Sequence, residues 1–429
     1  MQIQIGLLGC GTVGAGVVSL VRRRADRVAD MTGLRPVVKT ILVRDTQKDR
    51  GVSFIDEQLT TSPEDILADD DIQIVVETIG GIEPAKTYIL EALSRGKHVV
   101  TANKDLIALH GPEILQTAAA NGVSVLFEAA VGGAIPLVGP LKENLTANEV
   151  TDLKGIINGT TNFILTQMTT RHIDFAEALQ MAQDLGYAEA DPSSDVDGLD
   201  AARKLVILAS IAFHTEVHLS DVRVEGIRHI TATDVRYADE AGYVIKLLAV
   251  GRDRDGELTL AVRPTLIPKN HPLAHVSDAY NALFVRGDAA GDLMFFGRGA
   301  GRMPTASAVV GDIIALVRNL KLGFVASSPN GSAGERKPVV EREDDVYKYY
   351  FRLTAADQPG VFAQVAHLFG EYRASMETVL QKRVEGDRAE IVIVTHDISS
   401  RLAREIAVQL SRSPQLAVEA VMPVEPVAE

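Results

Sequence analysis

The chain has 429 residues, more than one ordinary hydrophobic core accommodates, so two or three domains are expected. Its 46% hydrophobic and 23% charged residues are typical of a folded globular protein, and its net charge of -14 argues against nucleic acid or an anionic membrane as the main partner, because both bind basic surfaces. The single cysteine, Cys10, excludes an intrachain disulfide and favours a reducing compartment.

The N-terminal residues MQIQIGLLGC run directly into a strand-like segment. They lack the basic start of a secretory signal, and no stretch of the chain approaches about 18 uninterrupted apolar residues. We therefore expect a cytoplasmic protein without a signal peptide or a membrane span.

Residues 1–130 alternate between short β-rich runs and helical segments, the pattern of a parallel sheet covered on both faces. This pattern predicts a doubly wound, Rossmann-type α/β domain that binds a dinucleotide. The predicted strands are 3–8, 37–43, 72–76, 98–101 and 123–127, and the predicted helices are 12–24, 84–94 and 112–120.

Residues 131–300 have a different pattern, in which helices such as LDAARKLVILASIAF give way to strand-like runs such as LTLAVRPTLI. This predicts a separate α+β domain. In residues 301–325 a loop leads to a helix that opens at Pro304, and we expect that helix to return to the first domain and complete it.

The C-terminal part begins with residues 326–345, which are rich in Ser, Gly, Pro and charge and have little apolar content to bury, so they are predicted to be a linker. Residues 346–425 then alternate between strand and helix patterns in βαββαβ order. This order predicts a ferredoxin-like module.

The segment GLLGCGTVG places Gly9, Gly11 and Gly14 in G-x-G-x-x-G spacing between a predicted strand and a predicted helix. The first glycine permits a tight turn, the second lets the backbone approach a pyrophosphate, and the third allows close helix–strand packing. Amide groups near Thr12 and Val13 would face the phosphates, favoured by the helix dipole. The motif predicts dinucleotide binding; the alternative is a glycine-rich turn without a ligand.

The residue that ends the second predicted strand bears on the choice of dinucleotide. An acidic residue there would bind the ribose 2′-hydroxyl of NAD, whereas Arg44 suits the 2′-phosphate of NADP. Asp45 follows at once and keeps NAD possible. We favour NADP.

Three polar or glycine-rich clusters, ETIGG, TANKD and EAAVGGAIP, follow the later strands of the first domain. Ligands of an open α/β sheet collect at the carboxyl ends of its strands, so these clusters are expected to line one site. Lys104 in the second cluster is expected beside the cofactor. The alternative, a surface lysine at a helix start, is disfavoured by the helix dipole.

The acidic run DPSSDVDGLDAARK ends in a predicted helix, on which Asp200 and Lys204 share one face. Taken alone, this pair is most simply a surface salt bridge. The apolar run that follows indicates a largely buried helix, in which charge needs a partner or a purpose. Asp195 and Asp197 resemble part of a calcium loop, but the ligand spacing of an EF-hand is absent, and such carboxylates also cap helices.

The chain closely resembles the homoserine dehydrogenase family. The motifs GLLGCGTVG, VTANK, EAAVGGAIP, GIINGTTNFIL, GYAEADPSSDVDGLDAARK and GAGRMPT occur in that family's order and span nearly all of residues 1–325. The C-terminal module, with its DQPGV segment, resembles an ACT domain, a small regulatory fold often attached to enzymes of amino-acid biosynthesis.

The resemblance implies an NAD(P)-dependent oxidoreductase that interconverts L-aspartate 4-semialdehyde and L-homoserine in threonine, methionine and isoleucine biosynthesis. Residues 131–300 would bind substrate and form the dimer contact of a homodimer or homotetramer. The alternatives are a related amino-acid semialdehyde dehydrogenase, or a non-catalytic protein that senses a nucleotide and an effector.

The resemblance also implies roles for single residues. Lys204 would be the catalytic lysine, with Lys104 near the nicotinamide, and Glu189 and Asp200 would hold the amino acid. Further cofactor contacts are expected at Thr78 and Gly301. A monovalent cation, with sodium favoured, is expected at Glu128 and the backbone carbonyls of Val131, Gly133 and Ile135.

Reduction of an aldehyde by hydride places negative charge on its oxygen, which calls for a positioned proton donor or cation. A lysine suits this role if burial or a second cation lowers its pKa, and Lys104 and Lys204 could do this to each other. The cofactor supplies the hydride.

The turn from Asp357 to Gly360 lies between a predicted strand and helix, where free amides can take a carboxylate. An amino-acid effector is expected there, in a groove between two such modules, with threonine favoured by pathway logic. The alternative is a well-formed turn that binds nothing.

Overall fold

The computed structural model describes residues 1–323, 336–383 and 387–426. The first domain contains a parallel sheet in the order β3-β2-β1-β4-β5-β6, which is the doubly wound Rossmann arrangement and confirms the predicted fold class. Its elements are β1 (Gln2–Leu8), α1 (Thr12–Thr32), β2 (Arg35–Leu42), β3 (Gln58–Thr60), α2 (Glu64–Leu67), β4 (Ile72–Glu77), α3 (Ala85–Ser94), β5 (His98–Thr101), α4 (Lys104–Ala120) and β6 (Val125–Leu126).

Two helices differ from their prediction. α4 begins at Lys104, about two turns before the predicted start, and Pro112 lies inside it. The early start follows from Asn103, whose side chain accepts a hydrogen bond from the Leu106 amide and so caps the helix. α1 continues past its arginine run because Ala25 and Val28 keep one face buried. The short elements β3 and α2 were not predicted.

The middle domain places its helices against an antiparallel sheet in the order β12-β11-β7-β9-β10. It is reached from β6 through a 3-10 turn at Glu128–Ala130 and a π-helical turn at Pro140–Asn144. Its elements are β7 (Val150–Ile156), α5 (Gly159–Arg171), α6 (Phe175–Asp184), α7 (Ser193–Val196), α8 (Leu199–Ala212), β8 (Arg223–Val224), α9 (Ala232–Glu240), β9 (Tyr243–Arg254), β10 (Glu257–Pro268), β11 (Tyr280–Gly287) and β12 (Gly291–Arg298).

The chain then returns to the first domain as α10 (Arg302–Leu322). α10 packs against α1 so closely that a Cβ atom at Gly16 would lie 2.9 Å from the Cβ of Ala306. Val309 and Ile313 of α10 share one buried cluster with Ile5 of β1, so this helix contributes to the core of the first domain.

The C-terminal module has the predicted βαββαβ order with one short extra strand, and the order β17-β13-β15-β14 within its sheet is ferredoxin-like. Its elements are β13 (Val346–Ala356), α11 (Val361–Glu371), β14 (Met376–Arg383), β15 (Arg388–Thr395), β16 (Ile398–Ser399), α12 (Ser400–Leu410) and β17 (Leu416–Val424).

The sheets of the middle domain and the C-terminal module are continuous, which the sequence did not indicate. β17 pairs in parallel with β10 at Leu266 and Val424, and the Glu425 amide extends the pairing by donating to the Leu266 carbonyl at 2.8 Å. Part of the predicted linker also binds β10, because Leu258 exchanges backbone hydrogen bonds of 2.8 Å with Pro338 and Val340. Residues 326–335 of that linker lie outside the described residues.

None of the helices in the described part of the chain is both long enough and apolar enough to cross a membrane.

Candidate active site

Two lysines from different domains meet at one buried carboxylate. Lys104 opens α4 of the first domain, and its Nζ lies 2.8 Å from Oδ1 of Asp200 on α8 of the middle domain. Lys204, one turn further along α8, places its Nζ 2.7 Å from Oδ2 of the same residue. The side chains of Asp200, Lys204 and Lys104 are 5%, 12% and 35% exposed, so Lys104 is the most accessible of the three.

Asn158, at the start of α5, also forms hydrogen bonds to this group. Its Nδ2 donates to Asp200 Oδ2 at 2.8 Å and to Asp195 Oδ1 at 2.7 Å, while its Oδ1 caps α5 by accepting from the Thr161 amide at 2.8 Å. The carbonyl of Ile157 accepts a hydrogen bond of 2.7 Å from Lys204 Nζ. Sequence analysis did not identify Asn158, although a polar residue between an apolar strand and a helix is the signal of an N-cap.

The pKa of Lys104 differs from the expectation that the two lysines lower each other's pKa. Burial by itself lowers the pKa of Lys104, but the adjacent Asp200 carboxylate outweighs it, and the pKa lies above its ordinary value. Burial opposes ionisation of Asp200, yet Lys204 and Lys104 together hold its pKa well below the usual range. The expectation was therefore wrong for Lys104, because a carboxylate lies between the two ammonium groups.

The other acidic residues of this region have separate partners. Asp197 forms an ion pair of 2.5 Å with Arg228, and burial raises the pKa of Asp195. Glu189 is exposed on the loop between α6 and α7, and its carboxylate touches neither lysine. The structure therefore brings Lys104, Asp200 and Lys204 together and leaves Glu189 apart from them.

The glycine loop between β1 and α1 opens onto a cleft of about 810 Å³. Gly9 has φ +95°, and its carbonyl accepts a hydrogen bond of 2.8 Å from Thr78 Oγ1. A Cβ atom at Gly14 would lie 2.4 Å from the Gly9 oxygen, whereas one at Gly11 would have no atom within 4 Å. The loop geometry therefore requires the first and third glycines, and the second leaves open space for a ligand.

The cleft contains most of the predicted cofactor residues together with basic residues that were not predicted. Gly9, Gly11, Thr12, Arg44 and Thr78 line it, while Val13, Gly14, Lys104 and Gly301 are not among its lining residues. The additional cations are Lys48, Arg50 and Arg302. Arg302 follows Gly301 at the start of α10, and its guanidinium binds the carbonyl of Arg50 at 3.1 Å. The returning segment thus reaches the cleft through Arg302.

Gly14→Ala and Gly11→Ala are expected to act differently. The new methyl group of Gly14→Ala meets backbone, so it should cost roughly 1–3 kcal/mol of stability and weaken dinucleotide binding as well. Gly11→Ala meets no protein atom, so it should weaken binding and leave the unfolding temperature nearly unchanged. Thermal unfolding and dinucleotide titration of both variants check this; equal unfolding temperatures in the two would contradict it.

The segment expected to bind a monovalent cation turns beside α10. The Glu128 carboxylate accepts backbone hydrogen bonds from Leu137, Val138 and Gly139 at 2.6, 2.8 and 2.7 Å, so it is already engaged by amides. The Glu128 amide donates to Asp312 at 2.9 Å, and burial raises the pKa of Asp312 to about 8. Three main-chain carbonyl oxygens of this segment accept no hydrogen bond within the described residues, those of Val131, Gly133 and Ile135.

Comparison with known proteins gives the family. Residues 9–128 match the family model described as the NAD-binding domain of homoserine dehydrogenase, and residues 136–314 match the homoserine dehydrogenase model. A homoserine dehydrogenase from Synechocystis is 48% identical over 411 residues, 93% of either chain. The chain belongs to the homoserine dehydrogenase family. These matches confirm the resemblance expected from the sequence. They also confirm that the protein is a homoserine dehydrogenase and an NAD(P)-dependent oxidoreductase.

Solved homoserine dehydrogenases have the same fold. The enzyme from Thiobacillus denitrificans is 40% identical, with a TM-score of 0.92 over 99% of this chain and 98% of its own. A hyperthermophilic archaeal homoserine dehydrogenase in complex with NADPH is 26% identical and aligns with a TM-score of 0.64 over 76% of this chain and 99% of its own.

Proposed function

We propose that this homoserine dehydrogenase interconverts L-aspartate 4-semialdehyde and L-homoserine with Lys204 as the proton donor. The observation that carries the proposal is the convergence of Lys104 and Lys204 on Asp200, where α4 of the first domain meets α8 of the middle domain. A donor at this place would lie between a dinucleotide domain and a substrate domain, where an aldehyde and a nicotinamide ring have to meet.

The chain's own residues supply position and charge. When bound, the nicotinamide cofactor gives or takes the hydride. Lys204 would donate its proton to the aldehyde oxygen as negative charge develops there, and Asp200 with the Ile157 carbonyl orients its ammonium group. Lys104, more exposed, would face the nicotinamide side. Glu189 remains a proposed ligand of the substrate ammonium group.

The test is the steady-state oxidation of L-homoserine with NAD and with NADP, each in the presence and absence of L-threonine. Turnover of homoserine above that of other 3- and 4-carbon hydroxy amino acids supports the substrate. A protein that turns over a different hydroxy amino acid faster, or none, contradicts it.

We propose NADP as the preferred cofactor. The cleft suits a phosphorylated dinucleotide because Gly11 leaves its backbone open and basic residues surround the end of β2, among them Arg44, Lys48 and Arg50. The acidic residues Asp45 and Asp49 lie in the same cleft and would accept hydrogen bonds from the ribose hydroxyls of NAD. Both cofactors are therefore expected to bind, with NADP binding more tightly.

Arg44→Ala is expected to raise KM for NADP by roughly tenfold or more, because it removes a charge-assisted contact to the 2′-phosphate, and to leave KM for NAD nearly unchanged. Initial-rate kinetics with both cofactors measure this. Arg24→Ala, which removes an exposed arginine of α1 that is not among the lining residues, is the control. Equal changes for the two cofactors would refute the assignment of Arg44.

We propose that a monovalent cation, sodium, binds at residues 128–135 through main-chain oxygens. The side-chain carboxylate of Glu128 is already bound to three amides. The ligands proposed are therefore the main-chain carbonyl oxygens of Glu128, Val131, Gly133 and Ile135. Hard cations prefer such oxygens. Activity measured in sodium, potassium and tetramethylammonium chloride at one ionic strength tests this site.

We also propose that the C-terminal βαββαβ module is an ACT domain that binds an amino-acid effector, threonine, and that the protein works as a homodimer or homotetramer through its middle domain. β12 supports the proposed assembly, because it is one edge strand of the sheet shared by the middle domain and the C-terminal module and leaves Phe296 exposed. Light scattering tests the assembly.

A cytoplasmic location is proposed from the single cysteine.

Asp200→Asn is expected to shift the high-pH limb of kcat for aldehyde reduction to lower pH, by about 1–3 units. Loss of the carboxylate removes the group that favours the charged form of Lys104, while burial of Lys104 continues to disfavour that form, so Lys104 loses its proton at a lower pH. Asp197→Asn, which changes a partly exposed acid of the preceding turn that pairs with Arg228, should leave the limb in place. An unshifted limb in Asp200→Asn would exclude the proposed pairing.

A further inference from the structure

A second cavity, of about 540 Å³, lies where the middle domain meets the C-terminal module. β8 and β10 form one side, β13, α12 and β17 form the other, and residues 339–345 pass along its edge. Its volume is in the range of small-molecule sites, which are found preferentially at such domain junctions. It is separate from the dinucleotide cleft, with which it shares no lining residue.

One cation of this cavity has no acidic partner. Arg263 of β10 forms no ion pair within the described residues, and its buried Nε has no hydrogen-bond partner. By contrast, Arg223 and Arg404 both bind Glu341, at 2.5 and 3.0 Å. A guanidinium group that is half-buried and unpaired is costly, and it favours an anionic ligand with which it can form paired hydrogen bonds.

Tyr347 lies beside both this cation and an acid, and its hydroxyl also accepts a hydrogen bond from Arg252. The guanidinium of Arg263 lies 5.6 Å from the centroid of the Tyr347 ring, while the Asp345 carboxylate accepts a hydrogen bond of 3.3 Å from the hydroxyl of the same ring. Asp345, Tyr347 and Arg263 all line the cavity. One positive and one negative group beside the same aromatic ring match the two charges of an α-amino acid.

We infer that this cavity binds a zwitterionic amino acid, with its carboxylate on Arg263 and its ammonium group on Asp345. The site differs from the Asp357–Gly360 turn, where an effector was expected from the sequence. It needs residues of the middle domain and of the module together, so a ligand there binds only when the two are docked.

β8 and β10, which line the cavity, also pack against the start of α8, the helix that carries Asp200 and Lys204. A Cβ atom at Gly198, the residue before α8, would lie 3.0 Å from Val224 of β8 and 3.2 Å from Val262 of β10. The Ile227 amide also donates to the Val196 carbonyl at 2.8 Å, which ties the segment after β8 to α7. A ligand that moves β8 or β10 therefore moves the start of the helix that carries Asp200 and Lys204. This regulatory consequence rests on the proposed function; the binding does not.

The test is thermal unfolding of the full chain with each standard L-amino acid at about 10 mM, in the wild type and in Arg263→Gln and Asp357→Asn. At least one amino acid should raise Tm of the wild type by about 2–4 °C. The shift should persist in Asp357→Asn, and it should be lost in Arg263→Gln and with the corresponding amino-acid amide. Without ligand, Arg263→Gln should keep both its Tm and its kcat, since it removes an unpaired charge outside the active site.

Three results would overturn the proposal: no amino acid stabilises the wild type, Arg263→Gln responds as the wild type does, or the amide stabilises as well as the acid. If Arg263→Gln does not fold, hydrogen exchange of the wild type decides the matter. Protection of residues 259–263 and 339–345 by the amino acid supports the site, and protection confined to residues 357–361 overturns it. Binding through Arg263 in a protein that does not oxidise homoserine would contradict the proposed function alone.

Discussion

Lys204→Met is expected to lower kcat for homoserine oxidation by about two to four orders of magnitude, the range typical for loss of a positioned proton donor or acceptor. Methionine has a similar length and an apolar chain, so it can occupy the buried channel of the lysine stem. Asp200 keeps Lys104 and Asn158 as partners in the variant, so its charge remains compensated. Stopped-flow and steady-state rates measure the loss.

Folding and cofactor affinity should change little in Lys204→Met, because Lys204 lies outside the dinucleotide cleft. The matched control is Arg203→Met, the preceding residue of α8, which pairs with Asp105 at 3.3 Å and should retain wild-type turnover within a fewfold. Normal turnover in Lys204→Met would remove Lys204 from the mechanism. Equal losses in both variants would indicate a disturbed helix instead.

Glu425→Ala is expected to loosen the C-terminal module from the middle domain at a cost of about 3–5 kcal/mol, because it leaves two buried cations without their shared carboxylate. The Glu425 side chain is 3% exposed, and its Oε1 lies 2.7 Å from Lys154 Nζ of β7 and 3.1 Å from Arg252 Nη2 of β9. Asp152 retains one contact to Arg252, at 3.2 Å, and Lys154 keeps no acidic partner within the described residues.

Three measurements are made: denaturant unfolding, scanning calorimetry and limited proteolysis. Together they separate undocking of the module from unfolding of the whole chain. Glu419→Ala is the control, since Glu419 is an exposed acid of the same strand, β17. It should unfold within about 0.5 kcal/mol of the wild type. A Glu425→Ala protein as stable as the wild type would show that the junction does not depend on this carboxylate.

Much of the dinucleotide domain could be predicted because its signals are local. The glycine spacing from Gly9 to Gly14, the alternation of strand and helix and the polar strand ends all lie within short windows of sequence. Errors arose where the local signal was weak or misleading. β3 and α2 are three and four residues long, and Pro112 was taken as a helix start although Asn103 caps α4 earlier.

The proposed active-site lysines were also within reach of the sequence, since Asp200 and Lys204 lie one helical turn apart and the family motifs single them out. Their environment was not. Lys104 comes from another domain, and only the packing of α4 against α8 places it on the same carboxylate and keeps its pKa high. Arg302 reaches the cofactor cleft for the same reason, through a helix that returns only after the whole middle domain, residues 131–300.

The amino-acid sequence by itself determined the family, the Rossmann sheet, the βαββαβ module and the identity of the central lysines, because hydrophobic period, turn residues and motifs are properties of neighbouring positions. Only the tertiary structure decided that β17 continues the sheet of the middle domain, that Glu425 neutralises Lys154 and Arg252, and that Arg263 is left unpaired in a cavity. Charge compensation and burial depend on which distant segments pack together, and no local pattern encodes that choice.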